Sequence, residues 1–355
     1  MRAYHIASAG LVAVLAANSC GGASADPVAD FYRGKVVNVN IGFSAGGGFD
    51  LYARTVARYL SRYIPGHPTI IPRQMPGAGS VRAAQYLYAV APQDGTQIAT
   101  IAQSLPLQQA FGDVSTFDLR RFNWIGNPIN GVSTVGVWAA SGITTLDQAK
   151  TRQVTIGATG YNVTMQYPLA LNAIAGTRFK VVLGYPGGHD IELAMERGEL
   201  DGMGQISWAS LTSARREWLK EKQINLLVQI GQHKNPKVDA YMGHEVPLLS
   251  DLGHDDNERR MLELLSSGEV VGRPLMTTPN VPPERVAALR AAFDATMRDP
   301  EFLAQAKQMG LDVDPIGGAE LQRIVERIVS SPLSVVKKLR SIVEQPNPQK
   351  ANPKP

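Results

Sequence analysis

The chain of 355 residues contains a single cysteine, Cys20. A disulfide framework is therefore excluded, and no Cys/His set with the spacing of metal ligands occurs. There is no H-E-x-x-H, and "HDD" at residues 254–256 reads as a solvated loop. There is no G-x-x-x-x-G-K-[ST], and the triple glycine at Gly46–Gly48 does not match G-x-G-x-x-G, so the motifs for ATP and NAD are missing. Long basic runs are also lacking. The longest are pairs such as Arg120-Arg121, and the net charge is only +4, which speaks against a nucleic-acid binder. No apolar run approaches the ~20 residues that span a bilayer. The expectation is a protein without metal, cofactor or nucleic acid.

The first 25 residues carry a processing signal. Arg2 gives a positive start, "IASAGLVAVLAA" is apolar but short, and "ASA" at Ala23–Ala25 forms an A-x-A site just before Asp26. This pattern reads as a secretory signal peptide over residues 1–25 and predicts a periplasmic protein. Lipidation at Cys20 is the alternative, but "ANSC" lacks the usual Leu three residues before the cysteine. Cleavage after Ala25 would leave no thiol in the mature chain.

Hydrophobic residues make up 44% and charged residues 19%, enough for a sizeable core, and the length fits two domains at roughly 100–200 residues each. Val36–Ile41 reads as a strand, Asp50–Tyr63 as a helix, Thr69–Met75 as a strand, Val81–Val90 as a helix and "QIATIA" as a third strand. The pattern repeats with "VTIGA", a helix over Met165–Ile174, "FKVVLGY", a helix over His189–Arg197, "LDGMGQI" and "INLLVQIG". Strands alternating with helices predict α/β blocks with parallel-rich sheets. "NPINGVSTVGVWAA" reads as an extended crossing between two blocks, and "SSGEVVGRPLMTTP" as the return. The C-terminal third reads as helical over Pro283–Met297, Glu301–Gln308 and Gly318–Val343, packing back on the first block. The expected domains are 26–127 plus 269–343 and 128–268, with a Pro- and Lys-rich tail, 344–355, too polar to fold.

Four glycine-bearing loops, "GFSAGGGFD", "PGAGS", "ATGYN" and "YPGGHD", each follow a predicted strand and precede a predicted helix. Ligands of open α/β sheets bind beyond the carboxyl ends of the strands. A helix N-terminus with a bare backbone favours an anion there. The first loop also spells G-x-S-x-G around Ser44, the pattern of a hydrolase nucleophile elbow. It follows the first strand of the mature chain, however, which leaves no earlier loop to supply an oxyanion hole. His189, His233, His244 and His254 are available as bases, and none is singled out by its context.

"GFSAGGGFDLYAR", then "MPGAGS", then "APQDGT", then "LGYPGGHDIELAMERGELDGM" and the C-terminal "RPLMTTPNVPPERVAALRAAFDATMRDPEFLAQAKQMGLDV" together resemble the substrate-binding proteins of tripartite tricarboxylate transporters, the Bug family. The resemblance runs in order along nearly the whole mature chain. It implies a periplasmic-binding-protein-like (Venus-flytrap) clamp that is not an enzyme. It also implies a small carboxylate ligand in an interdomain cleft, and the large and small membrane subunits of the transporter as partners. The chain is expected to be a monomer. The resemblance carries ligand contacts onto Phe43, Ser44, Ala45, Gly46, Gly47, Gly48, Phe49 and Asp50, onto Gly77, Ala78, Gly79, Ser80 and Ser104, and onto Thr159, Gly160, Tyr161, Asn162, Tyr185, Gly187 and Gly188. Asp50 is expected to cap the helix and order the loop, and Arg54 either to meet the ligand or to pair with a neighbouring carboxylate.

The chain departs from the family at informative places. Phe49 stands where the family mostly has Thr, and Ala158 replaces a hydroxyl that Thr159 or Thr164 would have to supply. The expected ligand is a carboxylate whose apolar or aromatic body packs on Phe49 or Tyr161. A secreted serine hydrolase using Ser44 is the competing reading.

Overall fold

The computed structural model describes residues 26–344 except Tyr161 and Pro186. The expected signal peptide, Cys20, Tyr161 and nearly all of the tail therefore lie outside the described residues. Among the described residues eleven strands form two sheets. The first holds β1 (Val36–Ile41), β2 (Thr69–Gln74), β3 (Gln97–Thr100), β4 (Asn123–Asn127), β10 (Leu275–Thr277) and β11 (Ile316–Gly317), in the order β11-β4-β10-β3-β1-β2. The second holds β5 (Ser133–Trp138), β6 (Val154–Gly157), β7 (Phe179–Val182), β8 (Gly202–Ser207) and β9 (Ile224–Ile230), in the order β7-β6-β8-β5-β9. This is the expected pair of α/β blocks. Each sheet has a parallel half, β2-β1-β3 and β7-β6-β8, where helices cross over. Each also has antiparallel pairings, made by β10 and β11 in the first and by β5 in the second.

β1 shows why these residues make a central strand. Val37, Val39 and Ile41 alternate into the core, fully buried. Asn40, also buried, satisfies its amide by donating to Gln97 Oε1 at 3.2 Å and the Ile98 carbonyl at 3.0 Å across β3. The helix Gly48–Leu60 buries Tyr52, Ala53, Val56, Ala57 and Leu60, at helical spacing, on β1 and β2.

The chain passes from the first sheet to the second once, between Asn127 and Ser133, as an extended segment. The return differs from expectation. Asp256–Val271 is one helix, so only Gly272–Pro274 connect it to β10. Ser266–Val271, expected in the return crossing, belong to this helix, with Leu262, Leu265, Val270 and Val271 buried on it. The helix expected over Gly318–Val343 is broken at Pro332 into Gly318–Val329 and Leu333–Val343, as the missing N–H of proline dictates. The last of these packs on Val163–Ala175 of the second lobe as well as on Leu105–Phe111 of the first. One contiguous apolar cluster therefore runs from Ala99 and Ile101 beside the first sheet to Val135 and Ile156 in the second.

The helix Val163–Ala175 crosses β8 at close range. Pro168 within it has no N–H to donate to the Thr164 carbonyl, and a Cβ placed on Gly204 would lie 1.8 Å from that carbonyl oxygen and 2.8 Å from Pro168 Cγ. Only glycine fits there. Gly204→Ala is expected to destabilise the protein by about 1–3 kcal/mol through overpacking, read by chemical denaturation. A loss below about 0.5 kcal/mol, the scale of an ordinary surface change, would contradict the close crossing.

Candidate functional site

The carboxyl ends of β1, β2 and β3 are pressed together. A Cβ on Gly42 would come within 2.4 Å of Ser80 Cβ, and Ser80 Oγ accepts the Ala102 N–H at 2.7 Å. Gly42 is thus a packing residue, and Ser80 ties the second loop to the third. Beyond Gly42 the first loop turns outward, and Ser44, Ala45, Gly46 and Gly47 are exposed. The helix that follows has Gly47 at its N-cap and no side-chain cap, so its first N–H groups are left for an outside acceptor.

Asp50 does not occupy the cap position; it sits inside the first turn and reaches back. Its Oδ2 accepts the Gly46 N–H at 3.0 Å, and its Oδ1 accepts Arg54 Nε at 2.7 Å and the Gln74 amide. The loop is ordered by this carboxylate, as expected. Arg54 is a structural partner of Asp50 and Gln74. Ser104 stands at the N-cap position of the helix Leu105–Phe111 without a side-chain cap bond, and its Oγ accepts from Gln108 Nε2. Gly77, Ala78 and Gly79 form the turn leading into Ser80.

The second lobe presents a self-contained knot. Asn162 Oδ1 accepts the Thr164 N–H and hydroxyl, Asn162 Nδ2 donates to Thr159 Oγ1 at 2.9 Å, and the Thr159 N–H donates to Thr164 Oγ1. Thr164 thus supplies a hydroxyl beside buried Ala158, but spends it within the loop. Gly160 precedes this knot, Tyr185 packs on the second-lobe core, and Gly187 and Gly188 open the helix Gly188–Glu196. Among the described residues no hydrogen bond joins these loops to the glycine loops of the first lobe.

What lies between the lobes is a cavity of about 340 Å³, at the small end of ligand-site volumes. Its walls are the crossing 129–132, Ser207 to Ala209 after β8, the loop 232–237 after β9, the segment 312–314, Gln103, and Glu269 with Gly272 and Arg273 on the return. None of the glycine-loop residues singled out in the sequence lines it. Arg273 is the link. A Cβ on Gly48 would meet its guanidinium at 2.5 Å, and the guanidinium stands 4.7 Å from the Tyr52 ring centre and 5.5 Å from that of Phe49. From the other lobe, Ser207 Oγ lies 3.4 Å away. Phe49 is therefore engaged by Arg273 and by Phe43, on which it stacks at 4.0 Å. The apolar part of the cavity wall is formed by Ile129, Val132 and Val313.

Glu269 is fully enclosed. Its Oε1 accepts Gln103 Nε2 at 2.8 Å and the Tyr167 hydroxyl at 3.2 Å, and its Oε2 accepts the Ser133 hydroxyl at 2.7 Å. Burial pushes its carboxyl up to about 7, against the lowering effect of the Ser133, Gln103 and Tyr167 hydrogen bonds and of the nearby Arg273 charge. Burial also lowers the Arg273 guanidinium from its ordinary value. Neither residue was singled out in the sequence. The available signal was an ionisable pair four residues apart in the otherwise apolar "GEVVGRPLM".

No family model matches the chain. A curated relative, the UPF0065 protein in the gbd 5′ region of Cupriavidus necator, is 23% identical over 345 residues, covering 95% of this chain and 98% of that protein. Three solved structures share the fold. The periplasmic binding protein BugD aligns at a TM-score of 0.64 with 17% identity, over 88% of this chain and 100% of its own. MatC from Rhodopseudomonas palustris with bound malate aligns at 0.64 with 18% identity, over 85% and 99%. A further R. palustris protein, with adipate, aligns at 0.64 with 16% identity, over 87% and 98%. The resemblance read from the sequence is borne out at the level of fold: the chain has the two-domain architecture of TctC and Bug solute-binding proteins.

The Glu269 environment gives a pH dependence with a definite sign. Its folded value lies above the ordinary 4.5, so the stabilisation is fully present below that value and is lost as pH rises through about 7. The loss amounts to at most about 3 kcal/mol. Glu269→Gln is expected to remove this dependence, so the stability of the wild type relative to the variant falls between pH 5 and pH 8. Paired urea melts at the two pH values read it, and a difference independent of pH would refute the assignment.

Proposed function

We propose that this chain is a periplasmic solute-binding protein that captures a small carboxylate-containing ligand between its lobes. It delivers the ligand to the large and small membrane subunits of a tripartite tricarboxylate-type transporter. The observation that carries the reading is the interlobe cavity with Arg273 in its wall, a guanidinium touched from one lobe by Gly48 and from the other by Ser207. The malate and adipate held by two proteins of the same fold support a carboxylate as ligand class. The 1–25 signal and the periplasmic binding proteins among the structural neighbours support the compartment.

The domains proposed are 26–127 plus 269–343 and 128–268, in line with the division of strands between the sheets. The glycine loops, with Phe43 to Asp50 and Gly77 to Ser80 on one lobe and Thr159, Gly160, Asn162, Tyr185, Gly187 and Gly188 on the other, are proposed to form the rim. Each offers backbone N–H groups at a strand's carboxyl end. The chain is proposed to bind without turnover. Ser44 is exposed, and of the four histidines available to activate it three are engaged elsewhere, while His233 lines the cavity, which Ser44 does not. His189 meets Glu192 and Arg215, His254 meets Glu258, and His244 bonds the Glu245 carbonyl.

A thermal-shift screen of the mature protein against mono-, di- and tricarboxylates, aromatic acids and amino acids tests the proposal. At 100 times the dissociation constant a bound acid stabilises by about 2.7 kcal/mol, and it should be recovered unchanged. Ser44→Ala should keep that stabilisation. No shift with any acid, together with turnover of an activated ester that Ser44→Ala abolishes, would replace this reading with a hydrolase.

A further inference from the structure

Among the described residues five buried side-chain polar atoms have no hydrogen-bond partner: Asn38 Oδ1, Thr100 Oγ1, Trp208 Nε1, Ser266 Oγ and Arg273 Nε. Only two of them are nitrogens, and so obligate donors. Both belong to residues that line the same interlobe cavity. A buried donor without an acceptor is unfavourable, and a charged one more so. The nearby acceptors do not reach Arg273 Nε or Trp208 Nε1. Both Glu269 oxygens are taken by Gln103, Ser133 and Tyr167, and Ser207 Oγ, bonded to Ser210, meets Arg273 only through Nη2 at 3.4 Å.

The charges of the cavity point the same way. Lys234 is paired with Glu245 and Asp251, and Lys237 with Asp312 at 3.7 Å. Among the described residues Arg273 has no carboxylate within 4.0 Å. Three long cations and three carboxylates, Glu269, Asp312 and Asp314, line the walls. A single added negative charge meets one unpaired cation. A second would meet Asp312 and Asp314 or compete with the carboxylates that already neutralise Lys234 and Lys237.

Resting on the solute-binding reading above, we propose that this cavity seats a single carboxylate head on the Arg273 guanidinium and the Trp208 indole N–H, and that the rest of the ligand is uncharged. The planar guanidinium offers a fork that fits a carboxylate. The indole N–H supplies one further donor, and Ile129, Val132, Ala209 and Val313 give the body of the ligand an apolar wall. Trp208 and Arg273 come from different lobes, the helix Trp208–Ser213 that follows β8 and the return segment, so one head group engages both.

The test is calorimetric titration of the mature wild type, Arg273→Gln and Trp208→Phe with straight-chain monocarboxylates from acetate to octanoate and the matching dicarboxylates from succinate to suberate. The wild type is expected to bind at least one monocarboxylate, more tightly than the dicarboxylate of equal length. Arg273→Gln should weaken it about 100-fold, the scale of a lost hydrogen bond to a charged group. Trp208→Phe, which keeps an aromatic ring at the position and removes the indole N–H, should weaken it about 10-fold. It is also the variant that keeps the test decisive if Arg273→Gln fails to fold. If the wild type binds an acid and Trp208→Phe binds it unchanged, the head-group assignment is overturned and the solute-binding reading stands. If a dicarboxylate binds more tightly than its monocarboxylate, the single-charge assignment is overturned. If the wild type binds no acid in either series, both readings fall.

Discussion

The two lobes are tied to one carboxylate. Glu269 accepts from Gln103, which follows β3 in the first lobe, and from Ser133 and Tyr167 in the second. Gln205 on β8 bonds the same Ser133 hydroxyl at 2.7 Å. A carboxyl group sealed from water is tolerated only where its lone pairs are filled and its charge is met or neutralised by a proton. Here Gln103, Ser133, Tyr167 and, at 3.4 Å, Gln205 donate to it, and burial pushes the carboxyl up to about 7. Tyr167, on the other end of one of these bonds, is itself pushed well above its ordinary value by burial and by the Glu269 charge. Because the donors come from both sides of the crossing, the relative placement of the sheets and the protonation of this group are one physical problem.

The glycines serve packing as much as ligand access, which is why glycine-rich loops alone locate a site only coarsely. Gly204 admits the Thr164 carbonyl, Gly42 admits Ser80, and Gly48 admits the Arg273 guanidinium. By contrast, nothing in the protein stands within 4 Å of where a Cβ on Gly46 or Gly47 would be. The triple glycine therefore divides in function. Gly48 makes room for a charged side chain, while Gly46, held by Asp50 at a positive φ of 86°, and Gly47 keep the loop open.

The parts of this architecture legible in the sequence were those with a local cause. The alternation of Val37, Val39 and Ile41, the helical spacing of Val56, Ala57 and Leu60, and the extended stretch before Ser133 all follow from neighbouring residues. The α/β blocks and the clamp architecture follow from their order. The antiparallel β10 and β11, the helix running through Ser266–Val271, and the last helix lying across both lobes were not legible, because each depends on partners far away in the chain. For the site the division is the same. Asp50 ordering its own loop is a contact four residues long and was foreseen. The cavity walls are drawn from residues 103 to 314, and an Arg in an apolar run does not disclose that its guanidinium ends without a carboxylate.

Phe49 joins the two halves of the problem. Where a hydroxyl residue would offer the ligand a hydrogen bond, this chain places a ring, and that ring carries Arg273. Together with Tyr52 it forms a cradle for the guanidinium, which cation–π attraction of about 0.5–1 kcal/mol per ring favours. The aromatic residues leave the guanidinium's charge uncompensated, as a carboxylate partner would not. Gly48, opening the uncapped helix Gly48–Leu60, packs against the same guanidinium, so the positive end of that helix and the cation sit side by side. An anion drawn to either is drawn to both. The open glycine loop and the interlobe cavity thus adjoin at Arg273, whose guanidinium packs on Gly48 and lines the cavity wall.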